Sequence, residues 1–193
     1  MPIDITNSQF LIAAFVLILV AIIAIAAYLQ YRKTKTTALR LRFAAEYDRA
    51  MIEEGSRRRA EAKLAERESR VRALVIRDLG ATERDRFVAE WQTVQSRFVD
   101  HPKAAVTEAD DLVNSILEAR GYPRASFEQR AADMSVNYPR FVESYRTAHG
   151  IAVRPATADA TTEELRAAMI QYRAIFDELV QAQKPGVRAT VAA

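Results

Sequence analysis

The feature that most constrains this chain is an unbroken apolar run, Phe10-Leu-Ile-Ala-Ala-Phe-Val-Leu-Ile-Leu-Val-Ala-Ile-Ile-Ala-Ile-Ala-Ala-Tyr28-Leu29, twenty residues without a charge. As a helix it rises about 30 Å, enough to cross the hydrocarbon core of a bilayer. Backbone groups in lipid have no water to bond, so helix is the state such a run must take. Tyr28 and Tyr31 fall at its far end, where amphipathic rings favour the interface. A cleaved signal peptide would need a basic n-region and a shorter apolar core, and residues 1–9 hold no Lys or Arg. Ala24-Ile25-Ala26 has the form of a cleavage tripeptide but lies inside the apolar run. The reading is a retained transmembrane helix over residues 10–31, preceded by a short extracytoplasmic stretch, 1–9.

The flanks give the helix a direction. One Asp and no basic side chain precede it, whereas Arg32, Lys33, Lys35, Arg40 and Arg42 follow. Basic residues stay on the cytoplasmic side, which predicts an outside N-terminus and a cytoplasmic C-terminal domain at the cell membrane. The net charge of +3 hides an uneven distribution. Residues 32–77 carry 14 basic and 7 acidic side chains, and residues from Asp78 onwards carry 14 and 17. The basic excess next to the span suits anionic lipid head groups, which makes the bilayer the first expected partner. Arg57-Arg58-Arg59 could hold nucleic-acid phosphates, but interleaved acids and missing aromatics favour a solvated face. No nucleic-acid partner is expected.

Beyond the span the chain reads as all-α. It has few Gly, no Cys, and many Ala, Arg, Glu and Leu. Residues 32–78 read as a basic, charged juxtamembrane helical spacer with an interruption near Gly55. Leu39, Phe43, Tyr47 and Met51 give it one narrow stripe. Glu53–Arg57, Glu54–Arg58, Glu66–Arg70 and Glu68–Arg72 are i,i+4 pairs in the favourable order. The alternative is a dimerising coiled coil, but Arg67 interrupts the seam of Ala60, Leu64, Val71 and Leu74.

Residues 81–183 read as a bundle of four to five amphipathic helices, closed by a disordered tail over 184–193. Gly55, Gly80, Gly121 and Gly150 are expected at helix ends. The first helix opens at Thr82 with Asp85 as a capping-box pair, and the second at Asp100 with Pro102 in its first turn. The third opens at Ser126 with Gln129, and the fourth at Asn137 with Pro139 in its first turn. The last opens at Thr161 with Glu164 and carries a stripe of Leu165, Met169, Tyr172, Phe176 and Leu179.

Catalytic motifs are sparse. Without Cys there is no thiolate metal site, disulfide or Cys nucleophile. His101 and His149 stand at helix ends without a ligand-spaced partner, and His149 suits a helix C-terminus. The five Gly are too scattered for a phosphate loop. Asp110-Asp111 and Glu163-Glu164 are neighbours that diverge by about 100° on a helix, so neither is an acid/base dyad by itself. No cofactor, metal or small-molecule substrate is expected. The two Tyr-Pro junctions, Arg120-Gly-Tyr122-Pro and Asn137-Tyr138-Pro-Arg140, admit two readings. They are packed corners, or Arg120, Tyr122, Tyr138 and Arg140 form a candidate partner surface.

Three stretches together, Trp91 to Asp100 running into Pro102, Arg120 to Arg130, and Thr162 to Met169 with Tyr172-Arg173, resemble a group of bacterial proteins described only as membrane or secreted. The resemblance implies the layout over residues 40–182 and brings no activity. The expected role is a non-enzymatic, membrane-anchored interaction or scaffold module, bound to a protein partner or a second copy. The alternatives are an envelope or extracytoplasmic helical protein, and an enzyme with a site between helices.

Overall fold

The structure, a computed structural model, describes residues 5–155 and 160–181, and gives no side-chain placement for 5–12, 32, 33 and 35. Its regular elements are all helices: α1 (Ile5–Phe43), α2 (Ala45–Glu54), α3 (Arg57–Ala73), α4 (Ala81–Arg97), α5 (Pro102–Ala119), α6 (Phe127–Asn137), α7 (Val142–Ala152) and α8 (Thr162–Gln181). The all-α class expected from composition and periodicity holds among the described residues. Two compact units divide the chain, Met1–Arg42 and Phe43–Ala193. The tail expected over 184–193 and the first four residues lie outside the described residues.

The first unit is α1. Its most apolar window has a mean hydropathy of 2.6, and none of that window is buried. Phe15, Leu17, Ile18, Ile22 and Ile25 are all exposed. A helix apolar on every side and buried by nothing is long and apolar enough to span a membrane. The helix runs on without a break past the apolar segment. Arg40 and Arg42 are exposed in its last turns, while the side chains of Arg32, Lys33 and Lys35 lie outside the described residues.

The juxtamembrane segment differs from the expected spacer. It breaks twice, at Ala44 (φ 46°, ψ −122°) and at Gly55, whose left-handed conformation ends α2 with its N–H on the Met51 carbonyl. Ser56 then caps α3 by accepting from Arg59 N. Helices α2 and α3 belong to the same unit as everything that follows, and α3 packs on both α2 and α6. Ala60, Leu64, Arg67 and Val71 form its buried face. Arg67, the residue that argued against an apolar seam, lies in that face because Glu46 of α2 meets it at 3.0 Å. Of the four i,i+4 pairs, Glu66–Arg70 and Glu68–Arg72 form, at 3.6 and 2.6 Å. The other two would cross the break at Gly55. Instead Glu53 takes Arg49, Glu54 takes Lys63 and Arg57 takes Glu61.

The main core is shared by α4 to α8. Phe87 and Trp91 of α4, Val106, Val113 and Ile116 of α5, Met134 of α6, Tyr145 of α7 and the whole α8 stripe are buried together. Trp91 stacks on Phe176 with centroids 4.8 Å apart. Helix α6 serves two neighbours: Ala131 and Met134 join this core, and Asp133 reaches Arg70 of α3 at 2.9 Å. The Thr161–Glu164 box forms in both directions, at 2.8 and 3.2 Å. Ser126 accepts from Gln129 N, but the Gln129 side chain turns to Asp133.

Several expected boundaries move. Helix α4 starts at Ala81, with Gly80 as N-cap and Glu83, not Asp85, accepting the Gly80 N–H at 3.0 Å. His101 rather than Asp100 caps α5, with Pro102 next to it. Asn137 ends α6 instead of opening the next helix, because Tyr138-Pro139-Arg140 forms the turn. Gly150 lies inside α7.

Candidate functional site

One set of polar side chains from α5 to α8 converges on Asp110. It sits on the apolar stripe of α5 beside Val106, Ala109 and Val113, and is buried with them. One carboxylate oxygen accepts the Tyr172 hydroxyl of α8 at 2.9 Å. The other meets His149 Nδ1 of α7 at 3.1 Å and Asn114 Nδ2 one turn along α5 at 3.4 Å. Tyr145, one turn before His149, donates to Asn114 Oδ1 at 2.8 Å, and Arg130 of α6 approaches the Tyr145 oxygen at 3.5 Å. Four helices are thus joined through one network.

Burial sets the chemistry of these groups. Desolvation, reinforced by the Asp110 charge, pushes the Tyr145 hydroxyl up to about 12. The same two causes push Tyr172 further upwards. Both phenols therefore stay protonated near neutral pH and act as donors. Asp111 points to solvent while Asp110 is buried, the divergence expected of adjacent helical residues. Asp111 is nonetheless raised, first by partial burial and then by the Asp110 charge.

His149 departs from the expected role. It stands in the last turn of α7, yet its ring is tied sideways to Asp110 and lies flat on Phe127, with centroids 3.7 Å apart at 5°. That ring forms one wall of a groove of about 580 Å³, with Arg49, Phe127, Glu128 and Arg146 around it. A second cleft of about 310 Å³ adjoins it through Ser126, Glu128 and Arg146, and is walled by Lys63, Arg67 and Arg70. Between them runs a second network: Glu46 accepts from Arg67 at 3.0 Å and from Arg146 at 3.2 Å, and Arg146 also reaches Glu128 at 2.5 Å.

The candidate partner surface requires correction. Arg120 is 0% exposed, and Tyr122 and Tyr138 are buried; Arg140 alone of the four is exposed. The physical reason is the turn at Gly121. Its N–H bonds to Glu118 O and the Tyr122 N–H to Leu117 O, which folds Tyr122 back against the core. Asn137 donates to the Tyr122 hydroxyl at 2.8 Å, and Arg120 Nη1 donates to the Leu179 carbonyl of α8 at 3.0 Å. These segments form a packed corner joining α5, α6 and α8. The basic flank residues Arg40 and Arg42 remain exposed.

Sequence reasoning missed the Asp110 network, although a signal was present. Asp110 with Asn114, and Tyr145 with His149, are each i,i+4 polar pairs on helical faces that are otherwise apolar. Comparison with protein-family models, with curated proteins and with solved structures gave no match to the chain.

Proposed function

We propose that this protein is a membrane-anchored, non-enzymatic interaction or scaffold module, in which α1 spans the bilayer over residues 10–31 and a helical bundle works on the cytoplasmic side. The observation that carries the reading is the fully exposed apolar window of α1, followed at once by Arg32, Lys33, Lys35, Arg40 and Arg42. Exposed apolar surface of that extent needs a solvent other than water, and the basic flank supplies both orientation and attraction to anionic head groups. What supports binding over catalysis is that the buried polar groups around Asp110 are committed to one another. Anchoring raises the local concentration of such a module near other membrane components.

A topology reporter fused after Ala193 tests the orientation. Activity of a cytoplasm-restricted reporter is expected, and activity of only a periplasm-restricted one would end the model. Flotation of residues 32–193 with vesicles tests the basic flank. Binding to anionic vesicles and none to neutral ones is expected, whereas equal binding to both would remove lipid charge as a cause.

A further inference from the structure

Ala44 is the only non-glycine residue with a positive φ among the described residues. Its φ of 46° and ψ of −122° lie near the first central position of a type II′ turn, where glycine dominates. The two described glycines with positive φ, Gly55 and Gly121, stand where α2 and α5 end. Position 44 instead carries alanine, strained in this conformation and the best helix former of all residues. Residues 36–54 hold no Gly or Pro, so no local breaker stops α1 from running on into α2. Ala44 gives α2 no side-chain cap, and it is exposed. The sequence around the break thus favours the unbroken helix.

Contacts beyond the break pull the other way. Helix α2 packs on α3 and α7, and Phe43, Tyr47 and Ala50 are at most 1% exposed. Glu46 accepts from Arg67 at 3.0 Å and from Arg146 at 3.2 Å, and the Tyr47 hydroxyl donates to Glu61 at 3.3 Å. A strained residue persists only where its surroundings hold it. We infer that Ala44 is a strained hinge with two settings. In the first, described above, α2 is docked on α3 and α7 and the hinge is strained. In the second, α2 has undocked, Ala44 has relaxed to right-handed helix, and α1 and α2 form one helix from Ile5 to Glu54. Docking buries side chains, whereas straightening removes strain and continues the backbone hydrogen-bond ladder through residue 44. Each setting therefore holds what the other lacks, which makes the segment bistable. Undocking uncovers the parts of α3 and α7 that α2 covers, so a pull along α1 becomes exposed surface on the bundle. The hinge goes beyond the anchor reading and does not require α1 to lie in lipid.

The full chain has no Cys, so pairs of introduced cysteines take spin labels cleanly and pulsed electron resonance reads the distance between them. Three pairs of exposed positions are used. Gln30→Cys with Ile52→Cys reports straightening, Ile52→Cys with Glu143→Cys reports undocking of α2 from α7, and Glu143→Cys with Ala167→Cys is the reference within the bundle. Twenty-two residues of continuous helix span about 33 Å, so the straight setting should give a component near that distance in the first pair. Ala44→Val disfavours positive φ and Ala44→Gly accepts it. The straight component and the undocked one should rise together, about tenfold higher in Ala44→Val than in Ala44→Gly, with the reference pair unchanged. Ala45→Val adds the same bulk at an exposed helical position and should move neither. One unchanging distance for each pair in all variants overturns the inference. So does an equal response to Ala45→Val, or a reference pair that shifts with the others, which marks general unfolding. The measurement is made in detergent micelles and in nanodiscs, so a failure of the membrane reading leaves the micelle result to decide the hinge.

Discussion

A Cβ built on Gly121 would lie 2.4 Å from the Val75 carbonyl oxygen, and the residue has a φ of +95°. Gly121→Ala must therefore move backbone as well as adopt a strained conformation. A loss of at least about 2 kcal/mol is expected, measurable by urea unfolding of residues 43–193. Glu164 makes a prediction in pH. The backbone N–H of Thr161 first, then Arg154 and the Thr161 hydroxyl, lower its carboxyl from 4.5 to about 2. A depressed carboxylate stabilises the fold above its unfolded value and loses that contribution as pH falls through the folded one. The first turn of α8 should thus fray between about pH 4.5 and 2. An NMR titration should place the Glu164 midpoint near 2, and Thr161→Ala should raise it. This box was legible beforehand because its parts are three residues apart. The Gly80–Glu83 start of α4 was not, because Thr82 and Asp85 offer the same spacing two residues later.

At the scale of elements, Glu46 ties α2 to α3 through Arg67 and to α7 through Arg146. Glu46→Gln leaves the buried Arg67 guanidinium with a neutral partner, while Arg146 keeps Glu128. A loss of roughly 3–5 kcal/mol is expected in chemical denaturation. The double variant with Arg67→Met should recover part of it, and a double variant less stable than the single one would show that Arg67 contributes otherwise. The break between α1 and α2 carries its own prediction. Ala44 occupies a conformation that favours glycine, and Ala44→Gly should stabilise the protein by roughly 1 kcal/mol in a thermal melt. That break left no mark in the sequence: Ala44-Ala45 reads as good helix, although Phe43 and Tyr47 on either side of it are buried.

At the scale of the molecule, every member of the main core cluster lies between Leu79 and Val180. Residues 43–193 alone should therefore stay soluble and helical and melt cooperatively by circular dichroism; a broad, non-cooperative loss of signal would count against it. The apolar run, the all-helical class and some helix limits, the starts of α6 and α8 among them, follow from the sequence itself. They depend on unbroken runs, 3.6-residue periodicity and caps, whose causes lie within about one helical turn. Only the tertiary structure decided which charged residues are buried. Burial of a charge depends on a counter-charge, and here the counter-charges lie far along the chain: Glu46 and Arg67 are 21 residues apart, Asp133 and Arg70 63, and Glu46 and Arg146 100. For the same reason a segment that reads as a solvated spacer packs into the fold, and a Tyr/Arg surface becomes an interior corner.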